Sequence, residues 1–175
     1  MQVILISAQS ADGFITRHDQ PGSGFASAAD RAYFQKALAV FDSSIMGSAT
    51  FRVSRTMILG SLTRERKRFV LTREPEKYTG DAAQGMLEFT SEAPRNLVER
   101  MKGEGHRRCA LLGGARTHSL FLEAGLVSEL WLTVEPRLFG AGVPFLRAPI
   151  DVSMRLFSHE RLDGSDTLLL RYALR

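Results

Sequence analysis

The chain has a single cysteine, Cys109, among 175 residues. No intrachain disulfide and no cysteine-based zinc site can form. Within the apolar run Cys109 to Leu112, that thiol reads as buried and inert, not as a nucleophile. The four histidines, His18, His106, His118 and His159, show no ligand spacing, so no metal site is expected. No apolar run approaches the ~20 residues needed to span a membrane. The start, MQVILISAQSADG, lacks a basic region before its apolar stretch and a small-residue cleavage pattern after it. It reads as a first strand and not as a signal peptide, which leads us to expect a cytoplasmic protein. Also missing are a Gly-x-Gly-x-x-Gly fingerprint and a Gly-x-Ser-x-Gly elbow, so neither a standard dinucleotide fold nor a serine hydrolase is indicated.

Lysine is scarce, with four against 19 arginines at a net charge of +4. Arginine suits planar, two-pronged recognition of phosphate and carboxylate. The basic residues are scattered except for Arg64, Arg66, Lys67, Arg68 and Arg73. That cluster reads as a solvated surface. A nucleic-acid site would need a larger basic face with interleaved aromatics, so no nucleic-acid partner is expected.

What is present is an alternation of short apolar runs and helix-like stretches without repeats or linkers. It predicts one α/β domain over residues 1–175, a mostly parallel sheet with helices on both faces and an antiparallel end. Val3 to Ala8 has the continuous apolar character of a central strand. Gln9 to Gly24 is a loop with a short paired piece at Gly13 to Thr16. Ser27 to Val40 is a helix capped by Ser27, with Ala32, Phe34, Leu38 and Phe41 as apolar positions. Strands are expected at Ser44 to Met46, Arg68 to Leu71, Met86 to Phe89, Cys109 to Leu112 and Ser128 to Leu138. Helical segments are expected at Ala49 to Ser54, Glu92 to Met101 (with Ser91 near its start) and Ala115 to Glu123. Met154 to Arg161 and Thr167 to Ala173 flank the turn Asp163-Gly164-Ser165 as a final hairpin.

The most informative stretch is ALLGGARTHSLFLEAGL. A strand ends at Leu112, Gly113 and Gly114 follow, and a helix opens at once. Such a turn lets backbone approach a ligand, and first-turn N–H groups favour phosphate. It also serves as a tight turn that binds nothing. SSIMGSATF repeats the logic, with Gly47 after a strand and Ser48 and Thr50 opening a helix; those hydroxyls equally well cap a helix. VLTREP places Thr72 and Arg73 at a third strand end, where Arg73 is either a ribose 2′-phosphate contact or a surface arginine.

Few residues offer acid–base chemistry. Asp12 lies in the loop after the first strand, as a ligand contact or as a turn residue before Gly13. Asp30 lies three residues after Ser27, which is capping-box spacing and also suits the helix dipole. Glu135 precedes Pro136 in a predicted strand and reads as an edge residue.

Taken in order, SADGFI, AADRAYF, IMGSATF, VLTRE and LLGGARTHSLFLEAGLVSELWLTVEPRLFGAGVPF resemble the dihydrofolate-reductase superfamily. The resemblance is greatest to the reductase domain of bacterial riboflavin biosynthesis proteins and its stand-alone relatives, and it covers nearly the whole chain. It implies the three-layer dihydrofolate-reductase-like fold and NADPH as cofactor. It places Gly113, Gly114, Ala115 and Arg116 around the pyrophosphate, with Gly47, Ser48 and Thr50 on the other side and Thr72 with Arg73 near the adenosine end. It gives Asp30 and Thr133 as the pair that holds a substrate ring, and Asp12 as the alternative substrate contact, which we favour slightly at this stage. It implies a small heterocyclic substrate and a homodimer, with the strand around Trp131 at the interface. Three departures stand out. Ser48 replaces an arginine usual in dihydrofolate reductases. Leu38 falls near the riboflavin-pathway arginine for ribose phosphate. The first loop has no Met-rich, Trp-containing lid. The rival reading is a non-catalytic nucleotide-binding or regulatory protein on the same fold.

Overall fold

The structure, a computed structural model, describes every residue from Met1 to Arg175. Eight strands form one sheet. β1 (Gln2–Ser10) lies between two parallel neighbours, β5 (Arg108–Leu111) and β6 (Glu129–Glu135). Beyond β5 come β2 (Ser43–Gly47), β3 (Lys67–Leu71) and β4 (Leu87–Thr90), all parallel. Beyond β6 come β8 (Leu168–Leu174) and the edge strand β7 (Met154–Arg161), both antiparallel to their neighbours.

Strand alternation sends side chains to two different layers. Val3 and Leu5 join Ile45, Phe69, Cys109, Leu111, Leu130 and Leu132 on one face, covered by α3 (Pro94–Gly103) and α4 (Ala115–Glu123) through Leu97, Met101 and Phe121. This is the larger core, and truncating a fully buried aromatic such as Phe69 to alanine there costs about 3–5 kcal/mol. On the opposite face α1 (Ala28–Leu38) packs on Ile4, Ile6 and Ala110, while α2 (Ser48–Leu59) packs on Met46 and Val70 through Phe51 and Ile58. Between α1 and α2 the sheet is left partly uncovered.

The observed elements match the expected ones with instructive differences. α2 runs to Leu59, well past the expected helical turn. α3 begins at Pro94 with Ala93 as its cap, not at Glu92, because proline's fixed φ suits the first helical position. The Glu92 carboxylate is instead engaged by Arg100. Ala32 is exposed, and α1 buries Asp30, Ala37 and Leu38. Trp131 lies in an interior strand, half-buried, and its ring meets that of Phe41 edge-on with 5.6 Å between ring centroids. The paired piece in the first loop exists as a bridge between Phe14 and Pro144. No helix is long and apolar enough to cross a membrane.

Candidate active site

The uncovered strip between α1 and α2 is a cavity of about 910 Å³. Parallel strands bring the turns after β2, β3 and β5 to one end of the sheet. α2 and α4 both start directly at those turns, on Gly47 and Gly114, and neither helix has a side-chain cap. Their first N–H groups thus remain free for a ligand. Gly47, Ser48, Thr50, Gly114, Ala115 and Arg116 all line the cavity. The two turns are tied together, since Gly47 N donates to the Gly113 carbonyl at 2.8 Å.

Gly113 itself lies beneath the cavity wall. Its φ of +93° and the His118 ring, whose Nε2 would sit 2.5 Å from any added Cβ, both demand glycine. A Cβ on Gly114 would meet nothing closer than Thr50 Oγ1 at 3.5 Å, so that position faces open space. His118 Nδ1 donates to the Phe145 carbonyl at 3.0 Å, and burial pulls its pKa down to about 4. The ring is therefore neutral and supports the Gly113 turn. Thr72 and Arg73 line the same cavity at the end of β3, and Arg73 is exposed.

Asp30 enters the cavity from α1. Its backbone N–H donates to Ser27 Oγ at 3.1 Å, so the expected cap is real. Its carboxylate does not complete a capping box. Glu135, fully buried on β6, accepts from the Ser27 N–H at 2.8 Å in its place, and also from Thr167 Oγ1 at 3.0 Å. The edge-residue reading of Glu135 is thereby corrected. Freed from the cap, the Asp30 carboxylate accepts from Thr133 Oγ1 at 2.6 Å through Oδ1, and Oδ2 has no protein partner. Burial raises its pKa, opposed by the Thr133 hydrogen bond and reinforced by the nearby charge of Glu135.

Asp12 is placed elsewhere. Its carboxylate accepts from Ser10 Oγ at 2.5 Å, Phe139 N at 3.0 Å and Gly140 N at 2.7 Å, and it does not line the cavity. These donors, Ser10 first, hold its pKa below the ordinary carboxylate value. Asp12 clamps the loop after β1 to the loop after β6, and the slight preference for it as the substrate contact gives way to Asp30. The basic cluster divides too. Lys67 turns to Glu88 and Glu104 on the outer face, whereas Arg66 and Arg68 turn inward and line the cavity. The reading of all five as solvated surface fails for these two. The two-residue alternation of the strand, Arg66 and Arg68 on one side and Lys67 on the other, was the signal available.

An open, mostly parallel sheet with an antiparallel end and two phosphate-suited turns on one cavity defines the dihydrofolate-reductase-like class. Within it, the chain belongs to the RibD C-terminal domain family, whose model matches residues 1–169. It is similar to the uncharacterized protein YwjB of Bacillus subtilis, 26% identical over 148 residues that make up 82% of this chain and 81% of that one. Among solved structures, a deaminase/5-amino-6-(5-phosphoribosylamino)uracil reductase from Thermotoga maritima superposes with a TM-score of 0.78 at 14% identity, covering 99% of this chain and 56% of that one. A pyrimidine reductase-like protein from Corynebacterium diphtheriae gives a TM-score of 0.76 at 13% identity, covering 99% and 92%. RibD of Acinetobacter baumannii gives 0.76 at 19% identity, covering 99% and 58%.

Proposed function

We propose that the chain is an NADPH-dependent reductase that delivers a hydride to a small heterocycle of the aminopyrimidine or pterin type. Membership of the RibD C-terminal domain family supports an oxidoreductase of riboflavin-pathway type. The observation that carries the reading is a buried carboxylate, Asp30, on the same cavity as two uncapped helix starts.

The residues present fit the cofactor. Free N–H groups at the starts of α2 and α4 suit a pyrophosphate, helped by both helix dipoles. Ser48 and Thr50 add hydroxyls, and Thr72 with Arg73, on the same cavity, would hold a ribose 2′-phosphate. When bound, NADPH supplies the hydride, and the protein supplies position and electrostatics. Val53 and Met57, exposed on α2, give the cavity an apolar wall against which a flat ring packs. Asp30 Oδ2 is the atom left to take a ring N–H or to hold a proton for the substrate, and its raised pKa favours the second task. Thr133 fixes the orientation of that carboxylate. The enzyme acts as a homodimer on a small molecule, without nucleic acid or membrane. Exposed Met154, Leu156 and Phe157 on the edge strand β7 support the pairing.

The test is cofactor titration by fluorescence followed by nicotinamide absorbance with a panel of aminopyrimidines and pterins. NADPH should bind more tightly than NADH, with the preference lost in Arg73→Ala, and at least one panel member should drive oxidation. Absence of NADPH binding would overturn the reading. Binding without oxidation across the panel would favour a regulatory nucleotide-binding protein.

A further inference from the structure

Glu135 is 2% exposed at the end of β6 and does not line the cavity. Its Oε1 accepts from the Ser27 N–H at 2.8 Å and its Oε2 from Thr167 Oγ1 at 3.0 Å. Neither donor is charged, so a carboxylate lies buried without a cation. Such a charge weighs against the folded state, and a neutral group of the same shape is often no less stable in its place. Capping α1 does not call for it, because a neutral side-chain oxygen also accepts an N–H there.

The bonds around Glu135 run in one direction. Thr167 has a single hydroxyl proton, and Glu135 takes it. Ser27 Oγ, 3.0 Å from Thr167 Oγ1, must then donate to Thr167. Ser27 Oγ in turn accepts from the Asp30 N–H at 3.1 Å. A chain of donors therefore leads from the Asp30 backbone to the Glu135 carboxylate, and each bond in such a chain polarises the next. Strand alternation adds a second hold, since Thr133 and Glu135, two residues apart on β6, share the face towards α1. Thr133 grips the Asp30 carboxylate by Oδ1, and Glu135 grips the turn that carries it. Together they fix where Oδ2 stands.

Charge is the other means of action. Burial raises the Asp30 pKa and the Thr133 hydrogen bond opposes it; the charge of Glu135 raises it again, and that of Arg31 lowers it. The remaining charged groups around α1 are engaged elsewhere. Arg171 of β8 lies over the Tyr33 ring, 5.7 Å from its centroid, and pairs with Glu160 of β7 at 3.2 Å. Glu129 of β6 accepts from Trp131 Nε1 at 2.8 Å, and Arg108 of β5 stacks on Phe41. β1 carries no titratable side chain. Arg68 stands on β3, four strands away from β6.

We propose that Glu135 is a positioning residue of the reductase site, acting on the substrate only through Asp30. It anchors the turn that directs Oδ2, and its negative charge keeps a proton on Asp30 to higher pH than burial alone does. A neutral side chain would cap α1 equally well and leave Asp30 a weaker holder of the proton. This deepens the reductase reading and rests on it.

The test compares Glu135→Gln with wild type in two ways. Carbon-13 NMR follows the side-chain carboxyls of the free protein, and turnover is followed against pH with NADPH and the aminopyrimidine or pterin that drives its oxidation. Glutamine keeps the shape and both contacts, with the Thr167 hydroxyl turned round. The Asp30 midpoint should fall by about half a pH unit or more, since a like charge is gone. The decline of turnover at high pH should move down with it, a loss of about threefold on that limb. NADPH affinity should be held. A folded variant in which the Asp30 midpoint and the pH profile match wild type overturns the proposal and leaves Glu135 as a cap alone. If Glu135→Gln does not fold, wild type decides: the Glu135 carboxyl resonance must move as Asp30 takes up its proton, as coupled groups do. A Glu135 resonance indifferent to that step overturns the proposal. If no panel member drives oxidation by wild type, the reductase reading falls. The carboxyl titration of the free protein then still decides whether Glu135 governs Asp30.

Discussion

At the scale of single residues, Asp30 combines two functions that sequence spacing alone keeps apart. Its N–H serves the helix cap and its carboxylate serves the cavity. Asp30→Asn preserves shape and cap, so the fold should survive while turnover falls at least ~100-fold, the usual scale for lost acid–base assistance. Stability gives an independent readout. Because the folded pKa of Asp30 is raised from its ordinary 3.8, the folded state binds its proton more tightly than the unfolded state. Wild-type stability from this group is full at low pH and declines as pH rises through the raised value. The asparagine variant has no such decline, so its melting temperature relative to wild type should improve from pH ~4 to ~7. A constant difference across that range would show that the carboxylate is not desolvated. The candidate pair Asp30 and Thr133 was legible in the sequence through resemblance, but not the partner that made it possible. Glu135 lies 108 positions from the Ser27 N–H it accepts from, a separation that only the fold closes.

At the scale of elements, the helix starts are the most readable part of the chain. Leu112-Gly113-Gly114 ends a strand and opens α4, and Ala115 to Glu123 is observed with the bounds that its pattern predicts. Gly114→Ala should fold normally, since its φ of −80° and the surrounding space accept a methyl group. The methyl intrudes where a pyrophosphate must approach. NADPH affinity should fall by about 1.4 kcal/mol or more, a factor of ten, with an unchanged far-UV spectrum. Unaltered affinity in the folded variant would make the turn purely structural. Less readable were the start of α3 and the length of α2. Ser91 and Glu92 mimic a helix start, but Pro94 sets the first turn. The end of α2 is decided by packing of Ile58 on Val70 and Met46, contacts between distant segments. The inward turn of Arg66 and Arg68 was hidden for a similar reason. Exposure of a strand face depends on what covers it, and here α1 and α2 leave a gap.

At the scale of the whole molecule, the two ends of the sheet differ in completeness. β4 is a short parallel edge, while β7 is a long edge with nearly every side chain exposed. An uncovered edge of that length bearing Met154, Leu156 and Phe157 favours self-association. Sedimentation velocity should find a dimer in wild type and a monomer in Phe157→Glu. A monomeric wild type would remove the pairing. The other large-scale feature is the tie between the loops after β1 and β6. Ile15 N donates to the Val143 carbonyl at 2.8 Å and Phe145 N to the Gly13 carbonyl at 3.0 Å, while Val143 N donates to Thr16 Oγ1 at 2.8 Å beside the Asp12 clamp. Bound to each other at so many points, the two loops can separate only as a unit. The amide protons of Ile15, Val143 and Phe145 should therefore exchange with deuterium together, and far more slowly than those of an untethered surface loop. Asp12→Asn should quicken all three at once, and turnover that keeps pace with wild type in that variant would mean that ligands enter and leave the cavity without parting the loops.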